Sequence, residues 1–278
     1  MAYFMSDVKK IYRSRMVQVA LLLLGLIAVA DPLFVRFEYA EQPGFVEQIG
    51  INPFQFWLLM NSSGWGHTVY RTLLFVFPVL STGLLFFYER ESSVYELMIV
   101  RKSRIQYLIS KVCSVFVITF LNFLLIFILN LTITNICFSA DASLTEQYQY
   151  LIPKEGTFAK TLYLMNPLMV EIVYSALNAL AIAMLSVFVL GIHMICKFKN
   201  RYIAIFAPPI ILYAANYAEG LLLKNQMNRN LFIIIQPRAA SALSACITTV
   251  DVITVYALLL FVIVVILLIG FKRNRDVL

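Results

Sequence analysis

The stretch VDVITVYALLLFVIVVILLIGF, residues 250–271, carries a single charge, Asp251, and after it an unbroken apolar run. Wound as an α-helix rising about 1.5 Å per residue, such a run reaches across a bilayer hydrocarbon core roughly 30 Å thick. It lacks the strict in-out alternation of an outer-membrane strand, so helix is the reading. Five further runs meet the same test, at residues 16–34, 68–88, 105–138, 167–196 and 203–223. Composition agrees: 61% of the residues are hydrophobic and 13% charged, against about 45–50% and about 25% in soluble domains. Mean hydropathy is +0.83. The expected fold is an all-α polytopic membrane protein with six spans in one transmembrane domain, residues 1–278. A soluble enzyme or a DNA-binding module is excluded.

The basic residues set the orientation, because Lys and Arg accumulate on the cytoplasmic side. Lys9, Lys10, Arg13 and Arg15 precede the first span. Arg90, Arg101, Lys102, Arg104 and Lys111 lie between the second span and the start of the third. Lys197, Lys199 and Arg201 join the fourth to the fifth, and Lys272, Arg273 and Arg275 follow the sixth. Together these are fifteen of the 22 Lys and Arg residues, so both termini are expected in the cytoplasm. The net charge of +7 is spread between apolar runs rather than gathered in a patch, which points to a lipid partner and to no nucleic acid.

Residues 1–15 read as an interfacial helix. Phe4, Val8, Ile11, Tyr12 and Arg15 share one face, while Lys9, Lys10 and Arg13 share the opposite one, suited to anionic headgroups or a partner. The Ala28-Val29-Ala30 pattern matches a signal-peptidase site. The long, patterned segment before it favours retention over cleavage, and the mass of the mature N-terminus decides between them.

Between the second and third spans runs Tyr88-Glu89-Arg90-Glu91-Ser92-Ser93-Val94-Tyr95-Glu96-Leu97-Met98-Ile99-Val100-Arg101-Lys102-Ser103-Arg104-Ile105-Gln106. Ser93 with Glu96 and Ser103 with Gln106 each have capping-box spacing. They bracket a helix of barely two turns, Val94 to Val100, with Val94, Leu97 and Met98 on one stripe. A helix that short is not stable alone. It either lies on the headgroups or packs against protein.

The run FYERESSVYELMIVRKSRIQYLISK resembles the corresponding loop in permease subunits of type-2 ABC transporters. In that family an acidic-basic-acidic entry leads into a short helix, a basic turn and a lysine opening the third span. Glu89, Arg90, Glu91, Leu97, Arg101, Ser103 and Lys111 hold those places. Ser92-Ser93 stands where the family carries Gly-Thr, and the family's proline is absent near Lys102. The amphipathic N-terminus, six spans with both termini inside, and a long connection before the last span extend the resemblance along the chain.

The resemblance implies a cytoplasmic coupling loop over residues 89–104 and a re-entrant hairpin within residues 224–249. It also implies a separate ABC ATPase subunit as partner and a second permease copy or paralogue. Glu89, Arg90, Glu91, Ser93, Val94, Glu96, Leu97, Met98, Arg101 and Arg104 are the expected ATPase-coupling residues, flanked by the interface helix. Reversing Glu89 and Glu91 to lysine is expected to uncouple transport. This chain has no Gly-rich phosphate loop of its own, so ATP and Mg are expected on the partner and no cofactor in this chain. The implied activity is export of an amphipathic or hydrophobic peptide, lipid or drug across a bacterial plasma membrane. The alternative is a non-transporting scaffold or sensor whose loop docks a regulatory protein.

Other polar features read as structural. Pro78 and Pro208-Pro209 are expected to kink their helices. Asn166-Pro167 has the form of an N-cap and first helical residue, which places Glu171 near the positive end of that helix. Asn122, Asn130 and Asn178 are expected to join helices, at about 0.6 kcal/mol each. Asn61-Ser62-Ser63-Gly64 lacks the leading glycine of a serine intramembrane protease. His67 reads as interfacial, beside an aromatic belt of Trp57 and Trp65. His193 and Cys196 provide two of the three or four ligands a zinc site needs. Cys113, Cys137, Cys196 and Cys246 are too scattered for a disulfide framework. No catalytic and no metal residues are expected.

Overall fold

The computed structural model describes residues 2–40, 53–61, 64–80, 84–92, 104–138, 153, 155–196, 198–222, 231–235 and 247–273. Among these, all regular structure is helical: α1 (Ala2–Arg13), α2 (Arg15–Ala40), α3 (Pro53–Phe56), α4 (Trp65–Leu73), α5 (Leu85–Glu91), α6 (Arg104–Cys137), α7 (Phe158–Met165), α8 (Pro167–Ile195), α9 (Arg201–Leu222), α10 (Leu231–Ile234) and α11 (Thr249–Arg273). Four helices, α2, α6, α8 and α11, are long and apolar enough to cross a membrane. Several such helices in one chain make this a multi-pass membrane protein. Large apolar side chains such as Leu22, Leu26, Leu125, Leu258, Phe261 and Leu268 stand exposed along them, where lipid takes the place of water.

The remaining two expected spans differ for identifiable reasons. The 68–88 stretch is not one helix: α4 stops at Leu73, turns occupy 74–76, residues 77–80 are helical again, and α5 starts at Leu85. Pro78 explains the stop, since its ring clashes with the carbonyl four residues earlier, that of Leu74, and it offers no N–H. Expected as a kink, it stands just after three residues of turn, in a helical stretch that resumes at 77–80. The 203–223 run is a single helix, α9, containing Pro208 and Pro209. Asn216, Glu219 and the prolines leave it too polar to count with the four.

Helix α8 is the centre of the bundle. Buried residues make up 78% of its most apolar window, against 17% for α11, and it packs most extensively against α6 and then α11. Its sequence suits that place, with Ser175, Ala176, Ala179, Ala181, Ala183 and Ser186 giving neighbours close approach. A Cβ on Gly191 would lie 2.6 Å from Ile266 Cγ2 of α11. Asn166 caps α8, its Oδ1 accepting from Leu168 N–H at 2.9 Å, with Pro167 in the first turn. At the start of α11, Thr248 and Asp251 cap reciprocally: Thr248 N–H and Oγ1 donate to Asp251 Oδ2, and Asp251 N–H donates to Thr248 Oγ1.

The three asparagines do join separate elements. Tyr12 OH donates to Asn122 Oδ1 at 2.8 Å. Asn130 donates to Ala28 C=O and accepts from Leu58 N–H, at 2.9 and 3.0 Å. Asn178 accepts from Tyr70 OH and donates to Ile235 C=O. That last bond seats the 231–235 segment, where Ile234 and Ile235 are buried, against α8. This is the described part of the expected hairpin; residues 224–230 and 236–246 lie outside the described residues.

The aromatic belt is corrected. Trp65 is 40% exposed, but Trp57 is buried among Phe54, Leu58, Leu59 and Met60. His67 is likewise buried rather than interfacial, its Nδ1 2.8 Å from Leu58 C=O. Residues 54–60 therefore pack into the core of the bundle. Glu171 is also buried, and it sits in the second turn of α8.

Candidate functional site

Three segments distant in sequence bring four charges together: α1, the end of α5 and the first turns of α6. Lys111 is the centre. Its side chain is fully buried, and its Nζ lies 2.6 Å from Asp7 Oδ1 and 2.7 Å from Glu89 Oε2. The other Glu89 oxygen, Oε1, accepts from Lys10 Nζ at 2.7 Å. Tyr107 OH donates to Glu89 Oε2, and Lys111 Nζ sits 5.2 Å from the Tyr107 ring centroid. Two cations face two carboxylates, so the cluster is neutral as a unit. That balance allows burial, because an unpaired charge in such a site is far more costly than a paired one.

Helical spacing builds the cluster. Asp7, Lys10 and Ile11 fall within one face of α1, and Tyr107 and Lys111 are one turn apart on α6. Ile11 anchors that face in a small apolar cluster with Val17 and Ile118. The expected α1 pattern holds for buried Ile11 and half-buried Val8 and Phe4, and for exposed Lys9 and Arg13. It fails for Lys10, which turns inward to Glu89, and for Arg15, which is exposed. Asp7, buried and bonded to Lys111, drew no attention in the sequence: an acid on a mostly basic helix looks like surface until its partner, 104 positions away, is known.

The two carboxylates respond differently to this setting. Burial is the strongest influence on Asp7 and raises its pKa, assisted by the nearby charge of Glu89; the charge and hydrogen bond of Lys111 oppose without cancelling it. Burial also works against ionised Glu89, but the charge of Lys111 and the hydrogen bonds from Lys10, Lys111 and Tyr107 outweigh it and lower its pKa. Glu89 is the firmly ionised member.

The acidic-basic-acidic entry is divided by its place on α5. Glu89 points into the cluster, whereas Arg90 and exposed Glu91 line a second groove with Phe87, Phe198 and Lys199. Beside the cluster runs a groove of about 400 Å³. Lys10, Arg13 and Ser14 edge it, and Met16, Leu80 and Leu84 are among its apolar walls. Of the other expected coupling residues, Arg104 opens α6. Ser93, Val94, Glu96, Leu97, Met98 and Arg101, with the short helix and both capping boxes, lie outside the described residues. His193 bridges α8 to α9, its Nε2 3.0 Å from Ala204 C=O. No group of three or more potential metal ligands occurs among the described residues.

The cluster joins elements: one carboxylate, Glu89 at the end of α5, holds α1 and the membrane helix α6 at once. No family model, curated protein or solved structure matches the chain.

Proposed function

We propose that this chain is the six-span permease subunit of an ATP-driven exporter of the type-2 ABC kind, moving amphipathic or hydrophobic molecules out of the cell. In this reading a separate ATPase subunit holds ATP and Mg, two permeases pair, and the basic end of the bundle faces the cytoplasm. The observation that carries it is the Asp7–Lys111–Glu89–Lys10 cluster. It ties the root of the loop resembling a coupling loop to both the N-terminal helix and α6. A push on that loop is thereby delivered to a membrane helix, and a bound partner shifts the bundle only so far as its contacts differ between two states.

The place of Glu89 changes the test expected from sequence. Lysine there would set a third cation in a buried cluster and disturb folding, so coupling is probed at exposed Glu91. Membranes expressing the chain are solubilised and the protein purified by affinity. The expected result is a co-eluting protein with a phosphate-binding loop whose ATPase activity the permease stimulates. Glu91→Lys should reduce that stimulation several-fold at unchanged yield. Recovery with a kinase, or with no partner, rejects transport and favours the scaffold reading.

A further inference from the structure

A second cavity, of about 340 Å³, lies away from the charge cluster and is walled by four helices. The helical period shows that they turn whole faces to it. Helix α8 contributes Ala181, Leu185 and Phe188; α9 contributes Leu212, Ala215, Asn216 and Glu219; α11 contributes Val255, Leu258, Leu259 and Val262. Leu74 and Phe75 close it from just past α4, and Leu231 and Ile235 from α10 and the residue after it. Its size falls in the range of about 300–1,000 Å³ that holds small-molecule ligands.

Almost every wall residue is apolar. Asn216 and Glu219, one turn apart on α9, are the exceptions, and Glu219 is half-buried. No hydrogen bond or ion pair engages its carboxylate among the described residues. In the six-span reading α9 crosses the membrane, where an ionisable group is costly and points to a ligand or ion path by default. Phe75 and Phe188 add aromatic rings to the same wall, and aromatic faces attract cations.

We propose that this cavity binds hydrophobic cations, with Glu219 as counter-ion and the aromatic and aliphatic walls holding the apolar body. The charge decides the class: Glu219, with no hydrogen bond or ion pair among the described residues, favours a cation and would repel an anionic amphiphile, while a neutral one would give it no charge partner. This rests on the transport reading for its purpose, since it names the cargo class, but its test is a binding measurement that needs no ATPase.

The experiment uses the full-length chain in neutral detergent, with tetraphenylphosphonium and its near-isosteric anion tetraphenylborate as probes in equilibrium dialysis. Saturable binding of the cation at one site per chain is expected, with the anion at least tenfold weaker. Glu219→Gln should weaken cation binding tenfold or more and leave the anion unchanged. Ala215→Phe, which fills the cavity without removing the charge, should abolish cation binding. Unaltered thermal unfolding of both variants separates lost binding from lost fold. Equal affinity for the two probes, or undiminished cation binding by Glu219→Gln, overturns the proposal and leaves a plain apolar crevice. Cation binding in a chain that recruits no ATPase upholds the pocket and rejects the exporter.

Discussion

Lys111 shows how far burial changes the meaning of a single residue. Its four methylenes and ammonium are wholly inside, and two carboxylates depend on it. Lys111→Met keeps the bulk but leaves Asp7 and Glu89 facing each other, and breaking such a pair costs about 3–5 kcal/mol. The expected outcome is a large fall in unfolding temperature in detergent, partly rescued by adding Asp7→Asn. The carboxylates themselves should behave unequally. Asp7, with its pKa raised in the fold, stabilises most when protonated, and that contribution is lost as pH rises through its folded pKa. Glu89, with its pKa lowered, contributes above the unfolded value of about 4.3, and the contribution is lost as pH falls through its folded pKa. At neutral pH, Glu89→Gln should therefore destabilise more than Asp7→Asn. On acidification, the wild-type loss below about pH 4 should flatten in Glu89→Gln. Unfolding temperatures of the three proteins between pH 7.5 and 3.5 check this.

Among the elements, α4 depends most visibly on one contact. Asp31, buried in α2, accepts from Gly66 N–H at 3.0 Å, so a side chain from another helix satisfies a free donor in the first turn of α4. Gly64, the residue before the helix, supplies no cap. The approach is close enough that a Cβ on Gly66 would lie 2.5 Å from Asp31 Oδ1. Gly66→Ala should destabilise by about 1–3 kcal/mol, the usual cost of overpacking, and Asp31→Ala in the same background should recover part of it. Differential scanning fluorimetry of the single and double variants measures both effects. What was legible in the sequence at this scale divides by range. Local signals sufficed for the Asn166-Pro167 start of α8 and for the extents of α6, α8 and α11, because apolar periodicity and capping are written in neighbouring residues, whereas α2 runs on to Ala40, past its expected end at Phe34. Asp31, Asp7 and the inward turn of Lys10 were not legible, since each takes its meaning from a partner dozens of positions away. Pro78 was read correctly as a disturbance; whether a proline kinks or breaks depends on what receives the freed backbone groups, and that is tertiary.

Across the whole molecule, the apolar runs were enough to establish a helical membrane protein, but the reading of Trp57 and His67 as interfacial missed their burial. Residues 54–60 supply Trp57, Leu58 and Leu59 to the interior, which hydropathy alone does not separate from an apolar rim. The cavity beside Glu219 was also out of reach of sequence, because its walls come from helices whose faces align only after folding. The central position of α8 has a further consequence for biosynthesis. One of its flanks is covered by α6, made earlier, but the other waits for α11, which leaves the ribosome after it. Until then the notch at Gly191, shaped to receive Ile266, faces lipid that fills it poorly. A chain ended before Thr249 should thus insert yet fail surveillance, and pulse-chase labelling should show it degraded several-fold faster than the intact protein. Co-expressing residues 247–278 as a separate peptide should restore its lifetime, making α11 a late-arriving latch.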